Sequence, residues 1–275
     1  RRQRQMCIRD RCYGLYRLGM IAPGRQADFV ILDNVADLNV VDVYHCGKKI
    51  IKDEKAELKP CPPYLKNTVH VSGFSEERLK LKHPGTKARV IQMLEKQIVT
   101  KDILEEVPWI ESGDEKYFAP DGEYQKIAVI ERHKNTGKMG VGIVKGYGIR
   151  GGAIASSVSH DSHNIIVVGD NDRDIAIAVK EMMRTQGGYT LVCNGEIYGT
   201  LPLPVMGLMS DAGYESVNEA LAKMIPKAHE MGVKEGFDPF ITLSFMALPV
   251  IPEIRITPRG IYLVNEDRML RTPFS

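Results

Sequence analysis

No apolar run in this 275-residue chain approaches the ~18 residues that cross a bilayer, and its start lacks the apolar stretch of a secretory signal. Neither membrane insertion nor export is expected. The five cysteines, Cys7, Cys12, Cys46, Cys61 and Cys193, are odd in number and form no C-x-x-C pair. That excludes a disulfide framework and a zinc knuckle and fits a reducing, cytoplasmic setting. The sequence also lacks a basic domain. Its net charge of +2 comes from the first twelve residues, RRQRQMCIRDRC, whose five arginines and one aspartate leave the rest of the chain at −2. With no aromatic interleaving and no basic face to dock beside it, this arm does not read as a nucleic-acid tail. Residues 1–12 are read as foreign to the fold, the native chain starting further upstream.

What is present is organised around residues 126–170. Four apolar runs, Ile127 to Ile130, Val141 to Val144, Ala153 to Val158 and Ile165 to Val168, are separated by glycines and short polar turns, the pattern of an antiparallel meander. His133, His160 and His163 stand at the edges of these runs beside charged residues. The glycines between 137 and 152 do not follow G-x-G-x-x-G and open no helix. They read as strand glycines that permit close backbone approach rather than as a phosphate loop.

Upstream, residues 13–60 hold a Pro23-Gly24 turn, a strand over Phe29 to Leu32, a second over Val40 to Tyr44, and a hairpin turn at Cys46-Gly47-Lys48 into Ile50-Ile51. Asp28, at a strand entrance, reads as a backbone-bonding carboxylate rather than a catalytic one. Residues 61–125 form a connecting region. There Lys52 to Pro63 leads in as an exposed connection, Asn67 to Val71 has the content of a short strand, and Lys87 to Lys101 fits helix or strand equally. His70 and His83 have no partner at ligand spacing, and Trp109 reads as a packing anchor.

Downstream, Asp170-Asn171-Asp172 caps a helix whose apolar stripe, Ile175, Ala178, Val179, Met182 and Met183, stops at Gly187-Gly188. Asn194-Gly195 marks a hairpin. Ser210-Asp211 is placed as the cap of a second helix over Glu215 to Met231, kinked at Pro226. Phe240 to Met246 and Ile261 to Val264 read as strands. The fold class is α+β, strand-rich antiparallel sheets covered by two helices, with residues 126–275 as the main domain.

Two sets of residues carry a family resemblance. Gly19, Ile21, Gly24, Ala27, Asp28, Val30 and Leu32 resemble the segment that leaves the catalytic barrel of the amidohydrolase superfamily and joins a small β-sandwich. The runs ERHKNTGKMGVGIVKGYGIRGGAIASSVSHDSHNIIVVGDND, LPLPVMGLMSD and DPFITLSFMALPVIPEIRIT resemble the C-terminal domain of the adenine deaminase family within it. The resemblance implies metal-dependent hydrolysis of adenine to hypoxanthine and ammonia, at a binuclear manganese or iron centre in a (β/α) barrel, in a homo-oligomer. There a metal brings the pKa of its bound water to about 7, and a carboxylate moves the proton to the leaving amine. The chain contains no His-x-His, the first ligand motif of that barrel. It is expected to be the C-terminal half, a β-sandwich remnant followed by the α+β domain with the catalytic barrel absent, and inactive alone. A stand-alone binding or assembly module of the same ancestry is the alternative.

The candidate pocket or accessory-site residues are Glu131, His133, His160, Asp161, His163 and Asn164. If Ser156 to Ser159 and Asn164 to Val168 pair with Asp161-Ser162 at the tip, His160 and His163 stand opposite each other, Cβ atoms about 4.5–5.5 Å apart. Two imidazoles so placed can converge on one metal ion or one substrate oxygen, with Asp161 and Asn164 orienting the rings. Equally open is a purely structural turn in which both rings bond backbone or carboxylate. Glu131 and His133 share one strand face if the strand continues through them.

Overall fold

The computed structural model describes residues 12–50 and 60–274. The basic arm up to Arg11, and residues 51–59 with the first part of the charged connection, lie outside the described residues. The chain divides into two compact units between residues 58 and 59.

The first unit is a three-stranded antiparallel sheet of β1 (Phe29–Leu32), β2 (Val40–His45) and β3 (Lys48–Ile50). Its hairpin turn has only two residues, Cys46 at φ 51° and Gly47 at φ 77°. Two successive left-handed residues match the strand twist, and glycine at the second position adopts that region without steric cost. Asp28 Oδ1 accepts from the Cys46 backbone N–H at 2.7 Å and locks the turn onto the entrance of β1, the structural role its position suggested. Phe29 and Tyr44 sit opposite each other and stack at 4.6 Å between centroids.

The second unit is built on an eight-stranded sheet of order β13-β12-β10-β11-β8-β9-β4-β5. Its strands are β4 (Ala88–Met93), β5 (Thr100–Glu105), β8 (Tyr124–Ile130), β9 (Met139–Lys145), β10 (Gly152–Ser156), β11 (Ile165–Gly169), β12 (Gly188–Cys193) and β13 (Glu196–Pro202). A two-stranded ribbon, β6 (Trp109–Ser112) with β7 (Glu115–Phe118), branches from the β5–β8 connection. Helix α1 (Asp172–Thr185) covers one face of the large sheet. Helices α2 (Tyr214–Glu230) and α3 (Ile241–Met246), with a small sheet of β14 (Ile254–Thr257), β15 (Gly260–Leu263) and β16 (Arg268–Leu270), cover the other.

Burial on both faces explains the continuous apolar runs. Every residue of β8 is buried, with Ile127 and Val129 packed in one core and Ala128 and Ile130 in the other. Gly140, in β9, faces the β14–β15 turn so closely that a Cβ would collide with the Thr257 carbonyl. The strand glycine there serves close backbone approach. None of the sheets among the described residues closes into a barrel.

Several expectations need correction. The four central runs are strands, but they do not form a meander: β8–β9 and β10–β11 are hairpins, and β11 returns beside β8 while β9 takes β4 as a parallel neighbour. Phe240 to Met246 is a helical turn rather than a strand, because Asp238 Oδ1 accepts from the N–H groups of Phe240 and Ile241 and starts a helix at the point where the run enters the core. A short apolar run carries no periodicity that separates these states. Lys87 to Lys101 resolves into β4 and the start of β5, whereas Asn67 to Val71 forms no strand. Helix α2 is preceded by Gly213, while Asp211 pairs with Lys66 at 2.5 Å instead of capping. Trp109 is 42% exposed with the Lys116 ammonium 3.6 Å above its ring, so it is a surface platform and not a packing anchor.

Candidate functional site at one end of the large sheet

Pairing of Ile130 with Ile165 brings the loop that follows β8 against the loop that precedes β11. Glu131, His133, His160, Asp161, His163 and Asn164 all lie on these two loops. His133 joins them directly, its Nε2 lying 2.6 Å from the Ser162 carbonyl oxygen.

The first loop is organised by Glu131. Its carboxylate accepts from the backbone N–H groups of His133, Lys134 and Thr136 and from the Thr136 hydroxyl, at 2.6–3.0 Å. Burial alone would raise its pKa, but these four donors outweigh it and hold the carboxyl at about 2. A carboxylate so saturated is a loop clamp and not a general acid or base. Nor do Glu131 and His133 share a strand face, because β8 ends at Ile130 and both residues lie in the turn.

The second loop differs from the expected hairpin tip. Strands β10 and β11 pair as far as Ser156 with Ile166, a register that does not set His160 opposite His163, and residues 157–164 form an irregular loop. The loop closes on itself through the His163 N–H, which donates to the Ser159 carbonyl at 2.5 Å, with His163 at φ 49°. The two imidazoles still come together, 5.9 Å between centroids and tilted by 58°. His160 also packs on Phe245 at 5.1 Å, and its N–H donates to the Ser244 carbonyl of α3. His163 Nδ1 accepts from the Ser159 N–H at 3.3 Å, which leaves its neutral proton on Nε2. Burial lowers the His163 pKa, assisted by the neighbouring His160 and Arg132, so the neutral form is favoured. Asp161 is exposed, while Asn164 is buried and its Nδ2 donates to the Ser162 hydroxyl.

Arg132, which sequence reasoning passed over, ties the loops together. Only 1% exposed, it donates from Nε to the His163 carbonyl, from one terminal nitrogen to the Thr68 carbonyl and from the other to the Met206 carbonyl. No carboxylate pairs with it among the described residues, and burial lowers its pKa to about 10. The signal available in the sequence was an arginine two residues past the end of a continuous apolar strand. Two buried polar atoms of the second loop, Ser159 Oγ and Asn164 Oδ1, have no hydrogen-bond partner. Such orphans are uncommon in native proteins, where an ordered water or ion, local strain or a catalytic role accounts for them.

Donor geometry limits what metal the chain can hold. Among the described residues, the one group of three His, Cys, Asp or Glu side chains with ligand atoms mutually within 4.8 Å is Asp28, His45 and Cys46 in the first unit. His160 and His163 supply two imidazoles with no third such ligand. The described residues do not fit a binuclear manganese or iron centre.

With this geometry in place, comparison with known proteins gives the class. The family model of the adenine deaminase C-terminal domain matches residues 97–268, and the chain belongs to that family. Similar relatives are the adenine deaminase of Desulfitobacterium hafniense (strain Y51), 49% identical over 261 residues, covering 95% of this chain and 45% of that protein, and that of Nitratidesulfovibrio vulgaris (strain DP4), 43% identical over 258 residues, covering 92% and 44%. The adenine deaminase of Clostridium acetobutylicum is 43% identical over 264 residues, covering 94% of this chain and 46% of that protein. The chain thus spans less than half the length of the curated relatives it matches. No helix among the described residues is long and apolar enough to cross a membrane.

Proposed function

We propose that this chain is the C-terminal portion of an adenine deaminase, a cytoplasmic enzyme of purine metabolism that hydrolyses adenine to hypoxanthine and ammonia. The manganese or iron centre is held by residues outside this chain. The observation that carries the reading is identity of 49% to the adenine deaminase of Desulfitobacterium hafniense over 95% of the chain. In this reading the His160–Asn164 loop lines the purine pocket or holds an accessory ion. His163 suits the first of these roles, because the neutral ring, with its Nδ1 occupied by backbone, presents an Nε2–H donor to a purine ring nitrogen. The same tautomer removes Nε2 as a metal ligand unless that proton is lost, which favours substrate contact over metal binding by the pair. The full-length enzyme assembles as a homo-oligomer, and the domain binds no nucleic acid.

The test is reconstitution. The purified chain with adenine and manganese is expected to release no ammonia, and fusion to the N-terminal portion of the Desulfitobacterium relative is expected to restore turnover. Ammonia release by the chain alone, abolished by a chelator, would overturn the assignment of the metal centre to residues elsewhere.

A further inference from the structure

Beside the two loops lies a cavity of about 540 Å³ whose wall is shared by the β8–β9 loop, Asn164 and the β14–β15 hairpin. His160 and His163 are not among its lining residues, so it is separate from the histidine pair. Its charge is net positive. Lys134, Lys138 and Arg259 line it, are exposed, and form no salt bridge with a described residue. Glu131, the one carboxylate in the lining among the described residues, has its acceptor capacity taken by its own loop, as the four hydrogen bonds above require. Three cations against one carboxylate whose acceptor positions are taken leave this concave, partly apolar site net positive, so it attracts an anion and binds it most strongly as a phosphate, whose oxygens accept from several donors at once.

The cavity is larger than a phosphate needs. Pro258, Tyr262 and Met269 give it apolar walls suited to a flat ring. Asn164, which also lines it, is 6% exposed and has a carbonyl oxygen without a partner. A buried acceptor left unpaired costs about 1–3 kcal/mol, and a turn of the Asn164 amide that brings this oxygen to the cavity and a ligand N–H recovers that cost.

We infer that this cavity binds a nucleoside monophosphate, its phosphate held by Lys134, Lys138 and Arg259 and its base against the Pro258–Tyr262 wall within reach of Asn164. A neutral free base would leave the three cations unused, so the site is an effector site rather than a second substrate pocket. The effector role rests on the deaminase reading, whereas nucleotide binding to this chain does not and is tested separately from turnover.

Calorimetric titration of the 275-residue chain at low salt, with AMP, adenosine and inorganic phosphate as separate probes, tests it. AMP is expected to bind at least about tenfold more tightly than either of the others, and the double variant Lys138→Ala/Arg259→Ala is expected to lower its affinity by about tenfold or more. Both substituted side chains are exposed, and a circular dichroism melt checks that the variant folds. Phosphate binding as tight as AMP binding would reduce the cavity to a plain anion site and overturn the assignment. So would AMP affinity unchanged in the double variant, or displacement of AMP by an acidic peptide at lower concentration than by unlabelled nucleotide.

Discussion

The two loops that meet at the end of the large sheet are built on opposite plans. In residues 131–138 one carboxylate collects four donors, and no buried side-chain polar atom is left without a partner. In residues 157–164 the backbone is held by an arginine and an internal turn, while the Ser159 hydroxyl and the Asn164 carbonyl oxygen are buried without partners. The first plan maximises local stability. The second tolerates a cost within the loop, as functional or strained segments do. The difference separates a loop saturated by its own hydrogen bonds from one that is not, a distinction the polar side chains Glu131 and His163 do not announce in the sequence.

The sharpest way to break the comparison is at Arg132, which serves the second loop without belonging to it. Arg132→Met removes donors from three carbonyls and is expected to cost about 3–5 kcal/mol, read as a lowered urea midpoint. A loss below about 1 kcal/mol would mean that water replaces the guanidinium freely. Next comes Glu131→Gln, which keeps the shape but weakens the clamp, with an expected loss of about 1–2 kcal/mol.

Glu131 also sets an acid limit. Its folded pKa of about 2 lies below the ordinary 4.5, so its contribution is full above pH 4.5 and is lost as pH falls from there towards 2. The Gln variant should show a shallower loss of stability across that window in pH-dependent denaturation. An unchanged slope would assign the acid sensitivity to other carboxylates.

His163 titrates higher. Its pKa is lowered from 6.5, so its contribution is present above pH 6.5 and declines as pH falls through the lower folded value. Replacing both His160 and His163 with alanine is expected to cost the isolated chain about 1 kcal/mol or less, but to lower turnover in the reconstituted enzyme at least about tenfold. Unchanged kinetics with a folded protein would make the loop structural. The smallest effect is expected for Ser159→Ala: deleting a hydroxyl that has no partner should be neutral or slightly stabilising, within about 1 kcal/mol by thermal melt. A larger loss would reveal a bond the hydroxyl makes in solution.

Local chemistry carried much of this architecture in the sequence itself. The apolar runs at 127–130, 141–144, 153–158 and 165–168, the Asn171 cap, the Asn194-Gly195 hairpin and the α1 stripe announce their elements, because turn residues and hydrophobic periodicity act over a few neighbours. The motif around His160 to Asn164 also forms one loop in which the two imidazoles lie 5.9 Å apart. Strand order was not local: whether β11 returns beside β8 or β9 depends on which arrangement buries both sheet faces under α1, α2 and the small sheet. The same holds for the helical turn at Ile241–Met246, whose apolar residues would suit a strand and whose state is set by the Asp238 cap and the core it enters. Register, finally, decided the site. Pairing Ser156 with Ile166 replaced an opposed histidine pair by an irregular loop, and pairing Ile130 with Ile165 carried Glu131 and Asn164 to one cavity with Arg259, a residue 95 positions beyond Asn164 that no spacing rule connects to it.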